Sequence, residues 1–421
     1  MATRYAGRWP CKAAGVVFVM STFAFAVGAA QASLQPNVIL IVADDLGYGD
    51  VGYLGSPDIK TPSIDSLARQ SVVFDAGYAT ASLCSPSRAG LVTGKYQQRF
   101  GHDNNPSDGT DPDIGLPVDQ TTMAEVMKSA GYTTAAFGKW HLGTAAKFHP
   151  NVRGFDYFFG FLGGAHSYFN EAGIQRNGVP AKLGGKYLTD AITDDAVAFM
   201  ARTPGQFFLY VAYNAPHTPL SAPQSYLDLY PGLAGTRKVY AAMVTALDKG
   251  VGRIVAAADG IDRPTVIVFI SDNGAAPGAG GSNKPLKGAK GSTLEGGIRV
   301  PFLLRIPGLA PGLYREPVAS FDLLPTFAAL ADAAAPHDID GVNLLPFLQG
   351  GGTPHPTLFW RMNGDRPNAA RRGNLKTTES ANGVRAWFNL SDRTEKTKAS
   401  PDPQLLLDYE DWAAGLPSPR W

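Results

Sequence analysis

Cysteine is almost missing from this chain, with two in 421 residues. Two thiols cannot build a disulfide framework or a cysteine-based zinc site. A charge excess is missing as well: 37 Lys and Arg stand against 36 Asp and Glu. That balance excludes the strongly basic face of a nucleic-acid binder. Internal repeats are absent. After the N-terminal stretch no apolar run is long enough to span a membrane. What is plentiful is ordinary core material. Hydrophobic residues make up 44% and charged residues 17%, so the chain is not a disordered one.

The N-terminus reads as a leader. Arg4, Arg8 and Lys12 precede an uncharged, mostly apolar stretch from Ala13 to Ala30, and Ala30-Gln31-Ala32 is a small-residue cleavage pattern. This is the layout of a signal peptide over residues 1–32, with export through the secretion machinery to the periplasm or the medium. A membrane anchor is the competing reading of the same stretch; crowding of small residues at its end favours cleavage. Cleavage removes three positive charges and Cys11, leaving 34 bases against 36 acids and one thiol, Cys84. A lone thiol in an oxidising compartment is a liability unless it has a chemical task.

The rest of the chain alternates short apolar β-rich runs with helical patterns. Strands are expected at 37–43, 132–137, 207–213, 265–270 and 300–305. Helices are expected at 61–70, 121–130, 188–201, 237–258 and 323–331. This alternation implies an α/β fold: a large, mostly parallel sheet covered by helices on both faces. After about residue 348 the texture changes to short β-like pieces (357–361, 384–390). The expected organisation is a domain over 33–348 and a small C-terminal α+β subdomain with a small antiparallel sheet over 349–421. The aromatic run 155–161 reads as core.

Chemistry-bearing residues collect where strands end. Asp44-Asp45 follows the first strand, and Asp272-Asn273 follows the strand at 265–270. Ligands of open parallel sheets sit beyond the carboxyl ends of the strands. Three carboxylates and an amide oxygen there suit a hard divalent cation, calcium or magnesium. Cys84-Ser-Pro-Ser-Arg88 reads as a helix start, with Pro86 in the first turn and Gly94 as the stop. Cys84 then meets the positive end of the helix, and Arg88 lies one turn on along the same face. Lys139 and His141 stand two apart at a strand end, where extended backbone would aim both at one pocket. His217 follows another strand, inside Asn214-Ala-Pro-His-Thr-Pro219. Lys287 and Lys290 lie in a Gly-rich tract, 274–297, too long to be a plain turn. The tract lacks the closing Gly-Lys-Ser/Thr of a P-loop. Together these residues describe a positively charged pocket around one nucleophile, suited to a tetrahedral oxyanion.

Cys84-x-Pro86-x-Arg88 with Leu91-x-Thr93-Gly94, followed by Gly138-Lys139-Trp140-His141-Leu142-Gly143, resembles the two motifs of type I sulfatases, within the alkaline-phosphatase-like superfamily. The motif set is similar to that of exported bacterial arylsulfatases and N-acetylgalactosamine-6-sulfatase-like enzymes. Asp44-Asp45, Ala-Pro-His217 and Asp272-Asn273-Gly274 follow the family's order, and Lys290-Gly-Ser-Thr-Leu-Glu-Gly-Gly297 resembles the segment of its last active-site lysine. Lys290 is therefore preferred to Lys287. The resemblance implies conversion of Cys84 to Cα-formylglycine by a maturation enzyme. It implies attack of the aldehyde hydrate on a sulfate monoester, and calcium held by Asp44, Asp45, Asp272 and Asn273. It implies that Arg88 and Lys139 hold charge, that His141 is the base for sulfate elimination, and that His217 and Lys290 bind sulfate and protonate the leaving oxygen. The substrate would be an aryl sulfate or a sulfated glycan. His102, Asp103 and His166, which follow these segments, are candidates for substrate contact. Two other readings stand beside this one: a phosphate or phosphonate ester hydrolase of the same superfamily, and a non-catalytic sulfated-glycan-binding protein with an unmodified Cys84.

Overall fold

The structure is a computed structural model and describes residues 34–106 and 111–421. The leader expected over residues 1–32 lies outside the described residues. Residues 35–421 form one unit.

Its centre is a ten-stranded sheet. The strand order is 312–314, 72–74, 302–305, 265–271, 37–43, 207–212, 133–139, 157–161, 175–176, 179–180. The middle five, from 265–271 to 157–161, run parallel. The strand 302–305 runs antiparallel to both its neighbours. The aromatic run expected as core is the fifth parallel strand, Tyr157–Phe161.

Strand Asn37–Ala43 shows why the sheet is sandwiched. Every residue in it is buried, because successive side chains point to opposite faces and both faces are covered. Ile39 and Ile41 pack with helices Pro62–Arg69, Leu188–Arg202 and Gly235–Asp259. Val38, Leu40 and Val42 pack with helices Cys84–Thr93, Met123–Ser129 and Leu323–Leu330 on the other face.

Local signals set the helix ends. Pro62 is the first residue of its helix, where its missing N–H costs nothing. Thr122 accepts from the Glu125 N–H while the Glu125 carboxylate accepts from the Thr122 N–H, a closed capping box. Gly94 ends the Cys84 helix at φ 69°, and its N–H bonds the Gly90 carbonyl; a side chain there would be strained.

The C-terminal part forms a four-stranded antiparallel sheet, 358–361, 368–372, 375–379 and 385–389 in that order. Helix Pro403–Ala414 packs against it through Leu405 and Tyr409. The strands 368–372 and 375–379 carry no strong local pattern and were not anticipated; nor was this helix, although Asp402 caps it and Pro403 opens it. Among the described residues no helix is long and apolar enough to cross a membrane.

Candidate active site

Four parallel strands deliver the site at their carboxyl ends. Strand 37–43 ends at Asp44 and Asp45, strand 265–271 at Asp272 and Asn273, strand 133–139 at Lys139, and strand 207–212 leads to His217. Helix Cys84–Thr93 points its first residue at the same place. The Cys84 thiol lies 3.5 Å from Asp44 Oδ1 and 3.8 Å from Asp45 Oδ1. Lys290 Nζ closes the ring at 3.0 Å from Cys84 Sγ.

Each carboxylate is matched by a cation. Lys139 Nζ donates to Asp44 Oδ2 at 2.6 Å. Lys290 Nζ donates to both oxygens of Asp45, at 2.7 and 2.9 Å. Arg88 gives Asp272 Oδ2 two hydrogen bonds, at 3.0 Å from Nε and 2.8 Å from a terminal nitrogen. Arg88 and Asp272 are fully enclosed, and Arg88 also reaches the Lys139 carbonyl. Three carboxylates thus face three cations, a local balance of zero.

This balance explains the protonation states. Burial opposes the charge of Asp44, but Lys139, His217 and Arg88 hold its carboxyl far below the usual carboxylate range. Burial pushes Asp272 up to about 6, helped by the neighbouring Asp44 and resisted by Arg88. Burial also pushes the Cys84 thiol well up, against the pull of Lys139. The unmodified thiol is therefore protonated and a poor nucleophile at neutral pH. Burial, with Lys139 and Arg88 nearby, holds His141 well below the usual histidine range, so its imidazole is neutral and able to accept a proton.

The donor set fits a hard cation. Asp44, Asp45 and Asp272 are carboxylates, and Asn273 Oδ1 is buried without a hydrogen-bond partner. Its amide nitrogen is already spent on Asp45 Oδ1 at 2.7 Å. A buried carbonyl oxygen with no donor facing it is costly unless something else meets its lone pairs. Asp44, Asp45, Cys84 and His217 also bring ligand-type atoms within 4.8 Å of one another.

Lys139 and His141 both reach the site, but not by the route expected. The strand ends at Lys139, and His141 sits at φ 59°. The two side chains converge through a left-handed turn, not through extended alternation. His141 N–H donates to the Leu162 carbonyl, and its own carbonyl accepts from Ser85 Oγ at 2.6 Å. His217 points Nε2 toward Asp45 Oδ2 at 3.6 Å, with Nδ1 2.6 Å from the Thr218 carbonyl. That contact suits an N–H at Nδ1, so it is Nε2 that faces the site. Lys287 is elsewhere: its Nζ donates to the Glu395 carbonyl.

Two of the three residues expected to touch substrate face inward. His102 is fully buried, with Nε2 2.7 Å from Ser85 Oγ and its ring edge-on to Trp421. Burial, with Arg420 nearby, pushes it down to about 3, so it is neutral. Asp103 is buried against Arg361 at 3.0 Å. His102 thus backs Ser85, the neighbour of Cys84, while the Asp103 carboxylate is taken up by Arg361. His166 is half-buried, its ring packed on Phe161, with both ring nitrogens 2.7 Å from backbone carbonyls, those of Ser167 and Ala172. Sequence reasoning missed Ser85, which links His102 to the His141 carbonyl; its only signal was its place beside Cys84.

The family model described as Sulfatase matches residues 36–333. The chain is 38% identical over 339 residues to arylsulfatase J of Mus musculus, covering 75% of this chain and 56% of that protein. It is 35% identical over 390 residues to N-acetylgalactosamine-6-sulfatase of Canis lupus familiaris, covering 83% of this chain and 73% of that protein. Among solved structures it resembles Ps i-CgsB in complex with k-i-k-neocarrahexaose. The TM-score there is 0.86 at 38% identity, over 92% of this chain and 94% of that one.

Proposed function

The chain belongs to the sulfatase family and is a sulfate ester hydrolase, and we propose that it works through a modified Cys84 with a divalent cation beside it. The observation that carries this reading is the placement of one thiol at a helix start, inside a ring of three carboxylates, three cations and the His217 imidazole.

Converted to Cα-formylglycine, Cys84 would supply an aldehyde hydrate, one hydroxyl to attack sulfur and the other to expel sulfate. Bound by Asp44, Asp45, Asp272 and Asn273, a divalent cation, calcium by family likeness, would polarise the sulfate oxygens and favour the deprotonated hydroxyl. The remaining work falls to side chains. Arg88 fixes Asp272 and, with Lys139, sets positive charge behind the nucleophile. Buried and neutral, His141 takes the proton as sulfate is eliminated. His217 and Lys290 are the least enclosed of the group, which suits them to grip the sulfate and to protonate the leaving oxygen.

We assign the substrate to the sulfated carbohydrates, because the relatives include an N-acetylgalactosamine-6-sulfatase and a protein in complex with k-i-k-neocarrahexaose, with the half-buried His166 as the remaining candidate contact. Exported localisation and a maturation enzyme belong to the same reading.

The test is sulfate release from an aryl sulfate and a panel of sulfated sugars, beside aryl phosphate, with mass spectrometry of the Cys84 peptide. Turnover of sulfate esters, a formylglycine mass at residue 84 and loss of turnover in Cys84→Ala are the expected results. Dominant phosphate turnover, or full activity with an intact thiol in every molecule, would refute the proposal.

A further inference from the structure

The Gly-rich tract carries Lys290 into the site, yet much of what holds the tract lies outside it. Helix 295–298 begins at Glu295, whose side chain is fully buried. Lys376, from the C-terminal sheet, reaches Glu295 Oε1 at 2.7 Å and Glu395 Oε1 at 2.9 Å. All three side chains are fully enclosed. Glu395 then grips the tract twice. Its Oε2 accepts from the Glu295 N–H at 3.0 Å, and its carbonyl accepts from Lys287 Nζ at 2.8 Å. These anchors flank Lys290 on both sides, at 287 and at 295. Between them the arc is tied by Lys290 N–H to the Ala275 carbonyl and Gly291 N–H to the Ser82 carbonyl.

Glu395 itself sits at φ 56°, a left-handed conformation that is uncommon for a glutamate. Such a conformation persists only where the surroundings over-determine it. Here a buried lysine and a backbone N–H do so. A buried ion pair is weak evidence for stability but is well suited to fixing one geometry.

We infer that Glu395 and Lys376 are positioning residues for Lys290: the C-terminal sheet sets where the ammonium stands against residue 84 and Asp45. This rests on the catalytic reading of the site above. A loosened arc leaves Lys290 free to drift, and misplacement by about 1 Å can cost on the order of 10²-fold in rate.

The experiment uses the full-length, matured enzyme and a series of sulfate esters with increasingly basic leaving groups. Lys290→Ala, Glu395→Ala, Glu395→Gln and Lys287→Met are compared with the unaltered chain. Glu395→Ala should lower kcat about tenfold or more, with KM changed far less. Its loss should vary across the leaving groups in parallel with that of Lys290→Ala. Glu395→Gln keeps an acceptor for the Glu295 N–H and should recover part of the loss. Lys287→Met, on an exposed side chain, should show the same pattern weakly, and decides the matter if Glu395→Ala does not fold. A Glu395 or Lys287 profile that fails to parallel Lys290→Ala, or an unchanged kcat, overturns the inference. Unchanged turnover in Lys290→Ala would instead overturn the role given to Lys290 itself.

Discussion

Replacing Arg88 by Met leaves Asp272 buried beside Asp44 with no cation of its own. With both groups ionised, two carboxylates in one buried site repel by on the order of a few kcal/mol at an effective dielectric of about 20. Two hydrogen bonds, 2.8 and 3.0 Å long, go with it. Asp44 loses Arg88 at 3.8 Å but keeps Lys139 at 2.6 Å, so most of the damage falls on Asp272. Methionine fills much of the space and avoids burying a new polar group. The release of Arg88 from its own desolvation offsets part of the loss, and breaking one side of a buried pair typically costs about 3–5 kcal/mol. Urea unfolding in the presence of a chelator measures this, because no added cation then takes the place of Arg88. The double variant Arg88→Met, Asp272→Asn removes the stranded charge and should recover about 2 kcal/mol relative to the single variant. A single variant within about 1 kcal/mol of the parent, or a double variant no better than the single, would show that this ion pair is not what stabilises the floor of the site.

Three further outcomes follow from the same geometry. Gly164→Ala would place a Cβ 2.5 Å from His141 Nε2; kcat for sulfate release should fall about tenfold or more with the fold retained by circular dichroism, and unchanged kcat would show that His141 has room to move. Burial raises Asp248, which accepts from the Ser63 and Ile64 N–H groups, to about 6. Its folded value lies above its unfolded value, so its favourable contribution is present below about pH 4 and lost as pH rises through about 6. Relative to the parent, Asp248→Asn should therefore gain roughly 2–3 kcal/mol between about pH 4 and pH 7 in chemical unfolding; a pH-independent difference would contradict the assignment. Thr122→Ala opens the capping box of helix Met123–Ser129 and should cost about 1 kcal/mol in the same assay, whereas no loss would mean that packing alone sets that helix.

The sequence was most legible where one residue's neighbours in the chain decide its structure. Asn37–Ala43 is apolar throughout because both its faces are covered. Pro62, Thr122 and Gly94 mark helix ends because capping is settled within a few positions. Asp44, Asp45, Asp272 and Asn273 were readable as a set because parallel strands release their next residues at one edge. Legibility failed where the deciding partner is distant. His102 and Asp103 looked free for a ligand, but Ser85 and Arg361 engage them, and neither pairing has a local trace. His141 reached its place by a positive φ that strand alternation does not foresee. Lys376 and Glu395 lie in strands and turns with weak patterns, and their partner Glu295 is 81 and 100 residues away.

The alternation of strand 37–43 has a further consequence. Ile39 and Ile41 belong to one core, Val38, Leu40 and Val42 to the other; Asp44 is the next position in the count, and Asp45 turns back to the same site at φ 62°. A slip of one residue would exchange the two cores and turn the aspartates to the wrong sides at the same stroke. Insertions and deletions in this stretch should therefore be far less tolerated than substitutions of similar volume. The same seven residues act as a ruler for the fold and for the chemistry, so neither can drift without the other.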